Sequence, residues 1–158
     1  MTSTFPRLML DHAAQRPQAP ALRVKEFGIW QTTTWSQLAL LVRRLACGLA
    51  HAGVKRGDHL VVVGENRPRL YATMLAAQAL GAVPVPLYQD AVAAEFVFPI
   101  NNAEVAFAVP AHAAEVAHVG RHVAHVHVAV GNVVQGDAAL GIPAAQHVLD
   151  RRVDIIGV

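Results

Sequence analysis

Hydrophobic and polar positions alternate between two periods along the first two thirds of this chain. After Thr4, a candidate cap, Leu8, Met9 and His12 or Ala13 fall on one stripe at helical spacing, and Arg16-Pro17 with Pro20 stops the run near Gln15. Ala21–Lys25 and Ile29–Thr33 are short strand-like runs around Glu26-Phe27-Gly28, a composition that predicts a hairpin. Thr34-Trp35-Ser36-Gln37 then supplies a hydroxyl and, three residues on, an amide, which is the pattern of a capping box. Leu38, Leu41, Val42, Leu45 and Leu49 follow at helical spacing. Gly53 is expected to end that helix in a left-handed conformation.

The period then shortens. Lys55-Arg56-Gly57-Asp58 reads as a polar turn before His59-Leu60-Val61-Val62-Val63, a β-branched run of the kind buried on both faces of a parallel sheet. Gly64-Glu65-Asn66 turns the chain, with Asn66 as the expected cap of a helix over about 67–80 and Pro68 tolerated in its first turn. Leu70, Met74, Ala77 and Leu80 are its expected buried positions, and Gly81 its end. In the next strand, Ala82–Leu87, Pro84 and Pro86 each remove a ladder donor, which predicts an edge or irregular strand. Strand, helix and strand joined by short turns predict a right-handed crossover in an α/β fold. Ala91–Asn101 is expected to be helical, capped by Asp90 and interrupted by Pro99, with strands at Val105–Val109 and His125–Val130.

Composition changes this picture at three places. Leu70–Gln89 carries no charge and is long enough to span a bilayer, but Gly81, Pro84 and Pro86 break it, so it is read as core. Of the twenty residues 111–130, six are Ala, six Val and five His, and periodicity is lost beyond them. Cys47 is the single cysteine, which excludes an internal disulfide and suits a reducing, cytoplasmic setting; no signal peptide pattern precedes the first helix. The 158 residues carry 13 Lys+Arg against 11 Asp+Glu, scattered in pairs rather than gathered in a stripe, so nucleic-acid binding is not expected.

Candidate chemistry is sparse. His118 and His122 share a helix face if that segment is helical, and His125 and His127 a strand face if it is extended, but no carboxylate or Cys completes a metal pattern. The turn Gly64-Glu65-Asn66-Arg67 has one glycine and an acid, unlike a phosphate-cradling loop. Cys47 sits among apolar neighbours and reads as an inert packing thiol. Ser36 lacks a glycine-flanked elbow or a nearby His. Asp58, Glu65 and Asp90 flank strands without an arguable pairing, and Trp30 and Trp35 read as core. Catalytic, cofactor-binding and metal-ligating residues are therefore all assigned as none.

The ordered set Thr34-Trp35-Ser36-Gln37-Leu38, Leu45-Ala46-Cys47-Gly48-Leu49, residues 53–68 with Glu65-Asn66-Arg67-Pro68, and residues 74–88 with Gly81-Ala82-Val83-Pro84-Val85-Pro86-Leu87-Tyr88 resembles the N-terminal part of AMP-forming acyl-CoA synthetases. It is most similar to the long-chain fatty acid–CoA ligase branch, through Asn66-Arg67-Pro68. The resemblance implies residues 1–109 as a partial N-terminal domain, an incomplete α/β portion of the large domain, and residues 110–158 as an atypical, frame-shifted or degenerate Ala/Val/His-rich tail. In full-length relatives ATP, Mg²⁺ and coenzyme A serve the conversion of a fatty acid to its adenylate and then its thioester. The motifs for that chemistry, a Ser/Thr/Gly-rich phosphate loop ending in Lys among them, are absent from these residues. The chain is thus expected to be a truncated fragment, inactive as a ligase, that binds none of these cofactors and self-associates through exposed sheet edges. The alternatives are a non-enzymatic α/β protein with a His-rich metal- or partner-binding tail, and the start of a peptide-synthetase adenylation domain.

Overall fold

The computed structural model describes residues 3–110 and 127–128. The metal-site expectation at His118, His122 and His125, and the tail from 129 onward, lie outside the described residues. The chain opens with helix α1 (Phe5–Gln15), in which Pro6 occupies the first turn and Pro6 and Met9 are buried. Leu8, expected inward, is exposed, because its bearing lies about 100° from that of Met9 while the Pro6–Met9–Ala13 line faces the core. Thr4 holds the cap position without a side-chain hydrogen bond.

Strands β1 (Pro20–Glu26) and β2 (Ile29–Thr34) form the expected antiparallel hairpin, pairing Glu26 with Ile29 across a two-residue turn. Phe27 and Gly28 both take positive φ, +48° and +81°, the geometry whose twist matches that of flanking strands. Helix α2 (Trp35–His51) carries the complete capping box. The Gln37 N–H donates to Thr34 Oγ1 at 3.3 Å, and the Thr34 N–H donates to Gln37 Oε1 at 2.9 Å. Leu38, Val42, Leu45 and Leu49 are its buried stripe.

The main sheet contains β3 (His59–Val63), β4 (Val83–Leu87), β5 (Phe107–Pro110) and β6 (His127–Val128), all parallel in the order β4-β3-β5-β6. Helix α3 (Pro68–Ala79) connects β3 to β4, and α4 (Ala93–Asn102) connects β4 to β5. Side chains of β3 alternate between two cores. Leu60 and Val62 pack with α1, α2 and α3, while Val61 and Val63 pack with Phe96 and Ile100 of α4. That two-sided burial explains why the strand shows no polar alternation. β4 lies at the edge among the described strands, as its prolines require, yet pairs in unbroken register from His59↔Val83 to Val63↔Leu87.

Helix boundaries correct three expectations. Arg67, not Asn66, caps α3: Pro68 fits the first helical position and forces the residue before it into extended backbone, φ −125° and ψ 163°. Val92, not Asp90, caps α4, and its N–H donates to the Glu95 carboxylate at 3.2 Å. Pro99 does not interrupt α4, which runs on to Asn102 while Phe96 and Ile100 anchor it on the sheet. In α3 the fully buried residues are Ala72, Thr73, Ala76 and Ala77, so close is the helix to its neighbours; Leu70, Met74 and Leu80 are only partly buried.

Helices α2, α3 and α4 all end in the same double bond. Val54 N–H reaches Leu49 O at 3.0 Å and Gly53 N–H reaches Ala50 O at 3.1 Å. Ala82 and Gly81 repeat this on Ala77 and Gln78, both at 3.0 Å, and Val105 and Glu104 on Ile100 and Asn101, at 3.1 and 3.2 Å. Gly53 and Gly81 supply the left-handed residue at φ +97° and +77°, and Glu104 does so at +47°.

Candidate functional site

The sheet changes its direction of growth at β3, which takes β4 on one side through α3 and β5 on the other through α4. In open parallel sheets the crevice outside the carboxyl ends of the strands at such a switch point is where ligands bind. Here that point lies between β3 and β5, with residues 64–67 after β3 beside it and the loop 88–92 after β4 on the far side of β3. Gly64 is buried and Glu65 partly so, whereas Asn66 and Arg67 are exposed. The Arg67 guanidinium bonds the Glu65 carboxylate and reaches Glu26 Oε1 at 2.7 Å, so the hairpin is tied to this loop. The Tyr71 hydroxyl donates to Asn66 Oδ1. Tyr88 stands out from the second loop, 85% exposed.

The electrostatics of the loop are closed on themselves. Its hydrogen bond to Glu65, then the charge of Glu65 and that of Glu26, push Arg67 above its ordinary value, so the guanidinium stays charged and occupied. An anion entering here meets two carboxylates already holding the cation. The turn has a single glycine, and its Arg67 N–H already donates to Glu65 O at 2.7 Å. Among the described residues no group of three or more His, Cys, Asp or Glu could hold a metal ion. Residues 64–67 by themselves do not fit a nucleotide triphosphate or its Mg²⁺.

The remaining sequence candidates scatter. Glu65 and Asp90 do follow the carboxyl ends of adjacent strands, but Asp58 lies at the opposite end of β3, where its carboxylate accepts the Lys55 N–H at 2.7 Å. Ser36 Oγ lies 3.1 Å from Thr34 Oγ1, in the first turn of α2. Cys47 is exposed rather than packed, because it lies about 200° around the helix from Leu45. Trp35 does pack against the core, with the His12 ring 4.6 Å away and the Arg16 guanidinium 5.6 Å from its ring. Trp30 does not; it is 56% exposed, with the Arg23 guanidinium 5.1 Å over its ring. A shallow, mainly apolar cleft of about 330 Å³ between the start of α1 and the end of α3 is lined by Thr4, Phe5, Leu8, Gln78 and Gly81, at the other end of the sheet. Sequence reading missed Glu26, whose partner lies 41 residues away.

A family model described as AMP-binding enzyme matches residues 9–151. An uncharacterized protein of Mycobacterium tuberculosis is 37% identical over 108 residues, which cover 65% of this chain and 61% of that protein. A long-chain-fatty-acid–CoA ligase of Mycobacterium bovis is 32% identical over 97 residues, 61% of this chain and 16% of the ligase. A feruloyl-CoA synthase of Amycolatopsis is 44% identical over 54 residues, 34% of this chain and 11% of the synthase. Among solved structures, the N-terminal subdomain of Klebsiella oxytoca NpsA in complex with 3-hydroxybenzoyl-AMSN superposes with a TM-score of 0.74 at 19% identity, covering 90% of this chain and 34% of that one. The chain thus spans about three fifths of the mycobacterial relative and a small part of the ligases. No helix among the described residues is long and apolar enough to cross a membrane.

Proposed function

The chain belongs to the AMP-binding enzyme family, and from that membership we propose that it forms the opening part of the N-terminal subdomain of an acid–thiol ligase. In the proposed reaction a carboxylate attacks the α-phosphorus of ATP and expels pyrophosphate; a thiolate then attacks the acyl carbonyl and expels AMP. The observation that carries this reading is the family match over residues 9–151, together with an α/β framework shared with an N-terminal subdomain of that fold. This stretch contributes framework: β3 fixed from both faces, and loops 64–67 and 88–92 set at the strand ends. Groups that would hold ATP, Mg²⁺ and coenzyme A belong to other parts of the proposed enzyme. The acid we propose is a long-chain fatty acid, supported by the Mycobacterium bovis ligase and by Asn66-Arg67-Pro68, with aromatic acids as the competing class. A cytoplasmic setting accords with the single cysteine.

Two measurements test the reading. The purified 158-residue chain is expected to show neither ATP–pyrophosphate exchange nor acyl-CoA formation from palmitate or ferulate, and either activity would overturn the framework assignment. Conversely, the Mycobacterium bovis ligase carrying this chain's residues in place of its matched 97-residue segment is expected to keep fatty acyl-CoA formation. A chimera that folds, by circular dichroism, but makes no acyl-CoA contradicts the assignment.

A further inference from the structure

The hairpin presents two faces of opposite character. In the observed register Lys25 lies across from Trp30 and Arg23 across from Thr32, which puts Arg23, Lys25, Trp30 and Thr32 on one side; all four are exposed. Leu22 and Val24, partly buried, lie on the other side, together with Glu26. The acid that would oppose the two cations is therefore turned away and bound to Arg67. At the tip, Phe27 is fully exposed, 102%, although it occupies a left-handed position where Asn or Gly sits more easily. Ile29 beside it is 65% exposed.

We propose that this hairpin docks on an anionic phospholipid surface, with Phe27 and Trp30 entering the headgroup region and Arg23 and Lys25 meeting lipid phosphates and carboxylates. Amphipathic aromatic rings settle at the interface of a bilayer, and cations adjoining them are drawn to its negative surface. Charge selects this occupant: the face carries two cations, and the nearest acid is paired elsewhere. The Arg67–Glu26 ion pair holds the hairpin against the main sheet, so the tip is presented rather than folded down. The inference deepens the proposed function, since a long-chain fatty acid partitions into bilayers, but its test does not depend on ligase activity.

The test is flotation of the purified chain with phosphatidylcholine vesicles, with and without phosphatidylserine. Binding is expected only with phosphatidylserine, weakening as salt rises. Arg23→Gln with Lys25→Gln is expected to lower partitioning roughly 30-fold, from about 1 kcal/mol for each cation near such a surface. Phe27→Ser is expected to weaken binding at unchanged charge, and the fluorescence blue shift on binding is expected to vanish in Trp30→Phe. Absence of phosphatidylserine-dependent binding by the folded chain overturns the proposal, as does binding that the hairpin variants leave unchanged. Self-association abolished by Phe27→Ser, or retention on single-stranded oligonucleotides in place of vesicles, reassigns the face and overturns it equally. In either event the activity of the chimeric ligase stands as a separate result.

Discussion

Glu104 occupies a backbone conformation that two other helix ends give to glycine, φ +47° beside +97° at Gly53 and +77° at Gly81. A β-carbon there is strained, so Glu104→Gly is expected to raise stability by about 0.5–1 kcal/mol, read as a higher urea midpoint at unchanged slope. The opposite change at Gly81 is expected to lose about 1–2 kcal/mol. A β-carbon at Gly81 would also stand 3.0 Å from Arg56 Cγ, whereas nothing lies within 4 Å at Gly53, so trimming Arg56 to Ala should recover part of the loss at Gly81 only. Both glycines were legible as helix ends because they close clear apolar stripes. Glu104 was not, since Asn102-Ala103-Glu104 carries no stop signal and tertiary packing of Val105 fixes the turn. Cys47 was misread for a different reason: apolar neighbours in sequence are not neighbours around a helix, and its bearing opposite Leu45 decides its exposure. Trp30 could be placed only once the register with Lys25 was known.

At the scale of elements, the capping box, the hairpin and the buried central strand follow from local chemistry that no tertiary contact overrides. The starts of α3 and α4 moved because backbone restrictions before Pro68, and the reach of Glu95 to Val92, outrank the capping preference of Asn66 and Asp90. The prolines of β4 have a consequence of their own. Val83 N–H donates to Asp58 O at 2.8 Å, toward β3, so in a parallel strand Val85 and Leu87 point the same way and Pro84 and Pro86 point outward. The outer edge therefore lacks donors, the means by which natural sheets prevent edge-to-edge pairing. Pro84→Thr with Pro86→Thr restores two donors and is expected to produce concentration-dependent association in sedimentation velocity. An unchanged distribution would show that something else protects this edge.

Across the whole molecule the hairpin and the main sheet are joined by an exposed ion pair, a contact between residues 41 apart that no local pattern announces. Arg67→Ala is expected to speed amide exchange in β1 and β2 while leaving β3 protected. At about 1 M salt, where screening acts over about 3 Å, the parent chain should exchange like the variant. Because pairing raises the Arg67 pKa above its ordinary value, the arginine's contribution is fully present below that value and is lost as pH climbs through the raised one, so it does not change as the arginine's surroundings pass through neutral pH. The fold class was legible because alternating helix and strand periods admit few arrangements. The candidate site was legible only as a location, since the switch point depends on β5 returning to the far side of β3, and its loops carry no motif of their own.

The pairing order of β3 also bears on synthesis. Its partner β4 leaves the ribosome while α4 and β5 are still inside the exit tunnel, so one layer can shut over Leu60 and Val62 while Val61 and Val63 still face water. For that interval the nascent polypeptide displays a bare aliphatic ridge, and any pause in translation that holds α4 and β5 in the tunnel lengthens its dependence on a holdase.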